Sequence, residues 1–220
     1  MVALMTSGVS FAVPSEISMD GIFDTSPAEW AWHYADGDGT VGPGVGDQAY
    51  DVEYLGLYVD TTHVYFGLQT GFDLSDGISN DGNGYRAGDI FLSTDGSSYD
   101  YGIKFAVNGG DVDYELWLVT TVNNNAVGSQ HFVSDPWTID SGVFQSSWTQ
   151  TKAFKSPGSS YVIEGMFDWI GPGFERIHWT MECGNDHLEF APVLEPATML
   201  LLGTGLLGLV GLGRKKIFKK

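Results

Sequence analysis

The sequence predicts an all-β chain: an antiparallel β-sandwich followed by a single C-terminal hydrophobic helix. Three observations carry that expectation. Short runs of β-branched and aromatic residues recur with alternating polarity. Gly, Asn and Asp punctuate them, as at Asp60-Thr61, Asp95-Gly96, Asn108-Gly109-Gly110 and Asn123–Asn125. No 3.6-residue apolar period is sustained before residue 195. Closely spaced short strands separated by turn residues specify a sandwich or barrel.

Taken in order, Val2–Phe11 is mostly apolar and ends Ser10-Phe11-Ala12 before Val13-Pro14. Small residues at the third and first positions before the cut predict a signal peptide over residues 1–12, cleaved after Ala12, although no basic residue opens it. The sandwich is expected over 13–192 and a membrane-inserting tail over 193–220. Strands are predicted at Tyr54–Asp60, Thr62–Thr70, Asp89–Ser93, Tyr99–Val107, Tyr114–Val122, Trp148–Phe154, Tyr161–Asp168 and Arg176–Glu182. Short helical turns are expected at Ser26–His33 and Met166–Ile170. The first strand pair is the most informative. Alternation places Leu55, Leu57 and Val59 on one face and aligns Val64, Phe66 and Leu68 on the next strand. Asp60-Thr61-Thr62-His63 is short enough to join them as a hairpin.

Charge is unevenly distributed. Five of the ten Lys and Arg residues lie after residue 213, whereas only Glu195 of the 28 acids lies in the tail. The body therefore holds 27 acids against five bases, a net charge of −22. Such a body does not bind nucleic acid or an anionic surface by charge. It favours divalent cations or basic partners. Cys183 is the only cysteine, so no intramolecular disulfide forms, and a small buried apolar role is expected.

The tail reads Glu195-Pro196, then Ala197–Leu212 without charge, then Arg214, Lys215, Lys216, Lys219 and Lys220. Pro suits a first helical turn and an anion suits a helix N-terminus. The basic cluster stays on the cytoplasmic side and leaves the body across the membrane. Sixteen residues rise about 24 Å, short of a hydrocarbon core of about 30 Å. Gly203, Gly205, Gly208, Gly211 and Gly213 weaken the helix further. A marginal span suits a transient sorting signal. Val193-Leu194-Glu195-Pro196-Ala197-Thr198, the Leu/Gly run and Arg214-Lys215-Lys216 together resemble the tail of PEP-CTERM proteins. Leu194 stands where that motif has its first proline. The resemblance implies a bacterial surface protein that passes transiently through the inner membrane and is cut near Glu195-Pro196 by an exosortase. It also implies a final place on the outer surface or in the matrix, beside exopolysaccharide.

Asp20-Gly21-Ile22-Phe23-Asp24, the hairpin and Gly88-Asp89-Ile90-Phe91-Leu92 follow one another in an order similar to that of family 9 carbohydrate-binding modules and DOMON sandwiches. The resemblance covers roughly residues 17–189 and implies a jelly-roll-like, carbohydrate-binding-module-like sandwich.

Two constellations suggest ligands. Asp73, Asp76, Asn80, Asp81, Asn83 and Asp89 are interleaved with Gly77, Gly82, Gly84 and Gly88. Such oxygen-rich, glycine-loosened loops suit Ca2+, and the modules just named often hold one. EF-hand spacing is not met, because Ser79 and Ile90 occupy ligand positions. Asp36-Gly37-Asp38-Gly39 is a lesser oxygen-rich turn. Trp30 and Trp32 lie in an irregular stretch and are the aromatic candidates for stacking on a glycan. Trp117, Trp137, Trp148, Trp169 and Trp179 fall in or near strands and are expected in the core. His178, Cys183 and His187 do not read as a metal set, since a five-residue offset points strand side chains to opposite faces. His33, His63 and His131 are isolated. No Gly-x-Ser-x-Gly, His-Glu-x-x-His or phosphate-loop pattern appears, so a non-catalytic structural or adhesive role is expected. A glycan hydrolase is the enzymatic alternative.

Overall fold

A computed structural model of the chain describes residues 17–24, 30, 34–37, 47–80, 83–124, 136–150, 153–155, 158 and 160–191. Thirteen strands and one short 3₁₀ turn, Gln48–Tyr50, are found among them. One sheet has the order β1-β2-β3-β11-β10: Tyr34–Asp36, Val52–Val59, His63–Thr70, Tyr161–Asp168 and Phe154–Lys155. The facing sheet has the order β13-β12-β6-β7-β8-β9: His187–Phe190, Arg176–Thr180, Ile90–Ser93, Tyr101–Asn108, Asp111–Asn123 and Thr138–Gln150. A small hairpin, β4 (Ile78–Asn80) with β5 (Asn83–Tyr85), lies between β3 and β6 in sequence. All pairs are antiparallel. The sandwich is as expected, but β6 to β9 form a meander within one sheet. A jelly roll, built of two Greek keys, is not the topology.

The expected hairpin forms with Leu55 opposite Leu68, Leu57 opposite Phe66 and Val59 opposite Val64. Leu55, Leu57, Val64, Phe66 and Leu68 are fully buried against the second sheet. Asp60 closes the turn by accepting from the Thr62 and His63 amides at 2.7 Å each. The second sheet contributes Ile90, Leu92, Ile103, Leu116, Ile177 and Trp179 to the same core. On the core side of β11, Gly165 accommodates the Phe66 ring, which a Cβ would meet at 2.2 Å.

The outer face of the five-stranded sheet carries a second, smaller core. Tyr34, Gly56, Gly67 and Glu164 lie side by side across β1, β2, β3 and β11. The two glycines leave a slot in which Phe23 and Trp30 stack at 4.7 Å. A Cβ at Gly56 would lie 2.7 Å from Trp30, and one at Gly67 2.6 Å from Phe23. Buried Glu164 closes the slot: Oε1 accepts from Trp30 Nε1 at 3.2 Å, and Oε2 accepts from the Asp20 and Gly21 amides at 3.1 and 2.9 Å. A buried carboxylate requires such donors, and three of them here tie the N-terminal segment to the sheet.

Two element assignments differ from expectation. Met166–Asp168 is strand, because β11 pairs along its whole length with β3, and Trp169 and Ile170 follow it without helix. β9 begins ten residues before the predicted Trp148. The proposed helix at Ser26–His33, apart from Trp30, lies outside the described residues, as do the expected signal peptide and the C-terminal tail.

Candidate functional site

Asp73 and Asp89 do not converge on one cation. Asp73 Oδ1 accepts from the Ser75 and Asp76 amides at 2.9 and 3.1 Å, a local Asx turn, and its Oδ2 accepts from the Tyr161 hydroxyl of β11 at 3.0 Å. Asp89 turns to the other sheet, where Oδ2 accepts from the Ile139 amide at 2.7 Å and the Thr138 hydroxyl at 2.9 Å. Burial pushes the Asp89 carboxyl above its ordinary range, and those two hydrogen bonds offset the rise only in part. Asp76 lies in the turn before β4, while the side chains of Asn80, Asp81 and Asn83 lie outside the described residues. No cluster of three His, Cys, Asp or Glu suited to a metal occurs among the described residues. Asp36 ends β1, and Asp38 and Gly39 are outside the described set.

Trp30 is corrected from a surface ring to a buried one. Its irregular surroundings suggested exposure, but the Gly56–Gly67 slot takes the whole indole, so no face remains for a sugar. Trp32 lies outside the described residues. Cys183 is partly buried, its thiol pushed up by burial, and His178 packs among Phe91, Tyr99 and His187 rings.

The six-stranded sheet offers a different face. Along β8, Val112, Tyr114 and Leu116 point into the core, so Asp113, Glu115 and Trp117 point out. Their neighbours are Ala106 and Lys104 on β7 and Thr149 and Ser147 on β9. Lys104, Ala106, Asp113, Glu115, Ser147 and Thr149 are among the residues lining an open depression of about 490 Å³. Trp117, two residues beyond Glu115 on the same face, is partly exposed and does not line it. Its ring is held on three sides: Nε1 donates to Glu115 Oε2 at 2.9 Å, Lys104 Nζ sits 5.3 Å from the ring centroid, and Phe144 meets it edge-on at 5.8 Å. Asp113 is also fixed, with Oδ1 accepting from Thr149 Oγ1 at 2.6 Å and Oδ2 from Asn108 Nδ2 at 2.5 Å. Two carboxylates, two hydroxyls, one ammonium and an aromatic face thus share one surface. That set can hydrogen-bond hydroxyl groups and support an apolar ring face together. Core packing was the expectation for Trp117; the alternation of β8, read residue by residue, puts it with Asp113 and Glu115 instead.

The described body is an all-β sandwich of two antiparallel sheets. Residues 195–215 match the PEP-CTERM protein-sorting motif. The motif implies an exported protein recognised by an exosortase at the membrane. No curated protein and no solved structure matches the chain. The residues of the motif, Val193, Leu194, Glu195, Pro196, Ala197, Arg214, Lys215 and Lys216 among them, lie outside the described set, and no helix of the described residues is long and apolar enough to cross a membrane. The last described residue, Ala191, leaves β13. β13 and β9 are the two opposite edges of the sheet, about 24 Å apart over five interstrand spacings. The polar–aromatic face therefore occupies the half of the sheet opposite β13.

Proposed function

We propose that the exported body is a non-catalytic adhesive module of the cell surface or matrix, which binds glycan through the outer face of β7, β8 and β9. The single observation behind this reading is Trp117, a partly exposed ring immobilised by Glu115, Lys104 and Phe144 beside a polar depression. A fixed ring loses little entropy on binding, which is what a weakly hydrophobic, hydroxyl-rich ligand requires. Asp113 and Glu115 already accept hydrogen bonds from neutral donors of their own sheet. That arrangement suits hydroxyl recognition. The surrounding polysaccharide of an exosortase-bearing cell is the natural ligand class.

The test is a glycan array followed by titration of retained glycans. Trp117→Ala is expected to weaken binding by tenfold or more, about 1.4 kcal/mol per tenfold, with the fold intact. Absence of any retained glycan, or undiminished affinity in Trp117→Ala, overturns the reading. Sustained release of reducing sugar by the wild type overturns its non-catalytic part.

A further inference from the structure

We propose that β9 is an association edge through which two copies of this chain pair antiparallel, β9 against β9. The inference stands on the sheet edges and is independent of the glycan reading. A free edge is a row of backbone donors and acceptors, and proteins blunt it by shortness, lysine or proline. Among the described residues, three of the four edges of the two main sheets are short: β1 has three residues, β10 two and β13 four. β9 has thirteen, Thr138–Gln150, with no Lys and no Pro and with Asp140 as its one charge. Its middle is also apolar. Val143 is 57% exposed and Phe144 49%, and Leu118, the cross-strand partner of Val143, is 38% exposed. These are three of the five exposed large apolar residues among the described residues.

The occupant is a second copy because the edge complements itself. A twofold axis normal to the sheet near Val143 brings Val143 against Val143 and sets Gly142 beside Phe144 of the other copy. Asp140 then lies six or seven strand positions from its counterpart, about 20 Å, beyond a Debye length of about 8 Å at physiological salt. A foreign acidic strand gains nothing from this edge, and a basic one finds only Asp140. Rotation about that axis keeps the outer faces on one side, so both Trp117 faces point the same way. The rest of the body, at net −22, opposes approach until salt screens it. Association therefore strengthens with ionic strength, the reverse of a salt-bridged interface.

Sedimentation equilibrium of the full chain in a mild detergent tests this. The wild type is expected to show a monomer–dimer equilibrium that shifts toward dimer between low and moderate sodium chloride. Val143→Lys, at an exposed position, is expected to raise the dissociation constant about tenfold or more, as an edge lysine does. In parallel, Val143→Cys under mild oxidation yields a reducible dimer, since residues at the twofold fall within disulfide range, whereas Ser97→Cys in the distant β6–β7 loop does not. A wild type monomeric at about 100 µM and moderate salt, in the range of weak transient contacts, overturns the proposal. So does a dimer equally strong in Val143→Lys, which assigns association to the tail, and so does β9 engaging only an unrelated chain.

Discussion

The buried position of Trp30 is open to a direct test. Trp30→Ala removes a fully buried indole that stacks on Phe23 at 4.7 Å and donates to Glu164. Truncating a buried Trp costs about 3–5 kcal/mol. In a domain of this size each kcal/mol lowers the melting temperature by about 2–4 °C, so a drop of about 6–20 °C is expected. Trp30→Phe keeps most of the ring but removes the hydrogen bond to Glu164 Oε1, which costs about 1–3 kcal/mol. The sharper companion is Gly67→Ala. In an ordinary strand that change stabilises by about 0.5–1 kcal/mol. Here the new methyl would lie 2.6 Å from Phe23 and 2.8 Å from Trp30, so it expels the stack and costs about 1–3 kcal/mol. Urea unfolding of each variant reads these values, and glycan titration of the folded fraction should find affinity unchanged. The reasoning fails if Gly67→Ala is as stable as the wild type, or if Trp30→Ala keeps full stability while losing ligand.

Asp89 has a raised carboxyl in the fold, so its contribution to stability is full below the ordinary carboxylate range and is lost as pH rises through the raised value. Asp89→Asn keeps the acceptor for Ile139 and Thr138 but cannot ionise. Its stability advantage should therefore grow from about pH 4 upward and then level, and parallel pH–melting curves rule this out. Asp60 runs the other way. Burial pushes its carboxyl up, but the Thr62 and His63 amides and the His63 ring hold it below the ordinary range. Its contribution is present above that range and is lost as pH falls through the depressed value, so Asp60→Asn should flatten the acid limb of the melting curve; an unchanged limb refutes the assignment. Millimolar Ca2+ is expected to leave the melting temperature unmoved, because Asp73 and Asp89 are drawn to different sheets. A calcium-dependent rise abolished by Asp73→Ala contradicts that geometry.

Where large apolar residues alternate along a strand, the sequence announces the strand. That is why the β2–β3 hairpin, with Leu55, Leu57, Phe66 and Leu68 in register, was legible together with its turn. β9 was mostly illegible for the opposite reason. Its Asp140-Ser141-Gly142 and Gln145-Ser146-Ser147 segments have no apolar alternation, and pairing with β8 makes them strand. The site of Trp30 leaves a trace in the sequence. Gly56 and Gly67 are equidistant from the Asp60–His63 turn, so any hairpin there sets them opposite each other and opens a slot wide enough for a ring. Trp117 was likewise within reach, since Tyr114 and Leu116 fix the core face of β8 and leave Trp117 on the other. For the calcium loop, composition reports oxygen atoms and not where they point, and the side chains of Asn80, Asp81 and Asn83 lie outside the described residues. Asp73 and Asp89 are separated by a hairpin whose two ends join different sheets.

The two edges of the six-stranded sheet divide the work of the chain. At β13 the strand is four residues long and its continuation leads into the sorting motif, so that edge ends in a membrane-directed tail. At β9 the edge is long, nearly uncharged and on the opposite side of the sheet from β13. If pairing at β9 occurs, two faces become one surface, and a repeating polysaccharide meets both without a second search. The acidic body sets the condition: repulsion between bodies is strongest in dilute salt and weakest where cations are abundant, so ionic strength outside the cell, rather than a ligand, governs when the surface doubles.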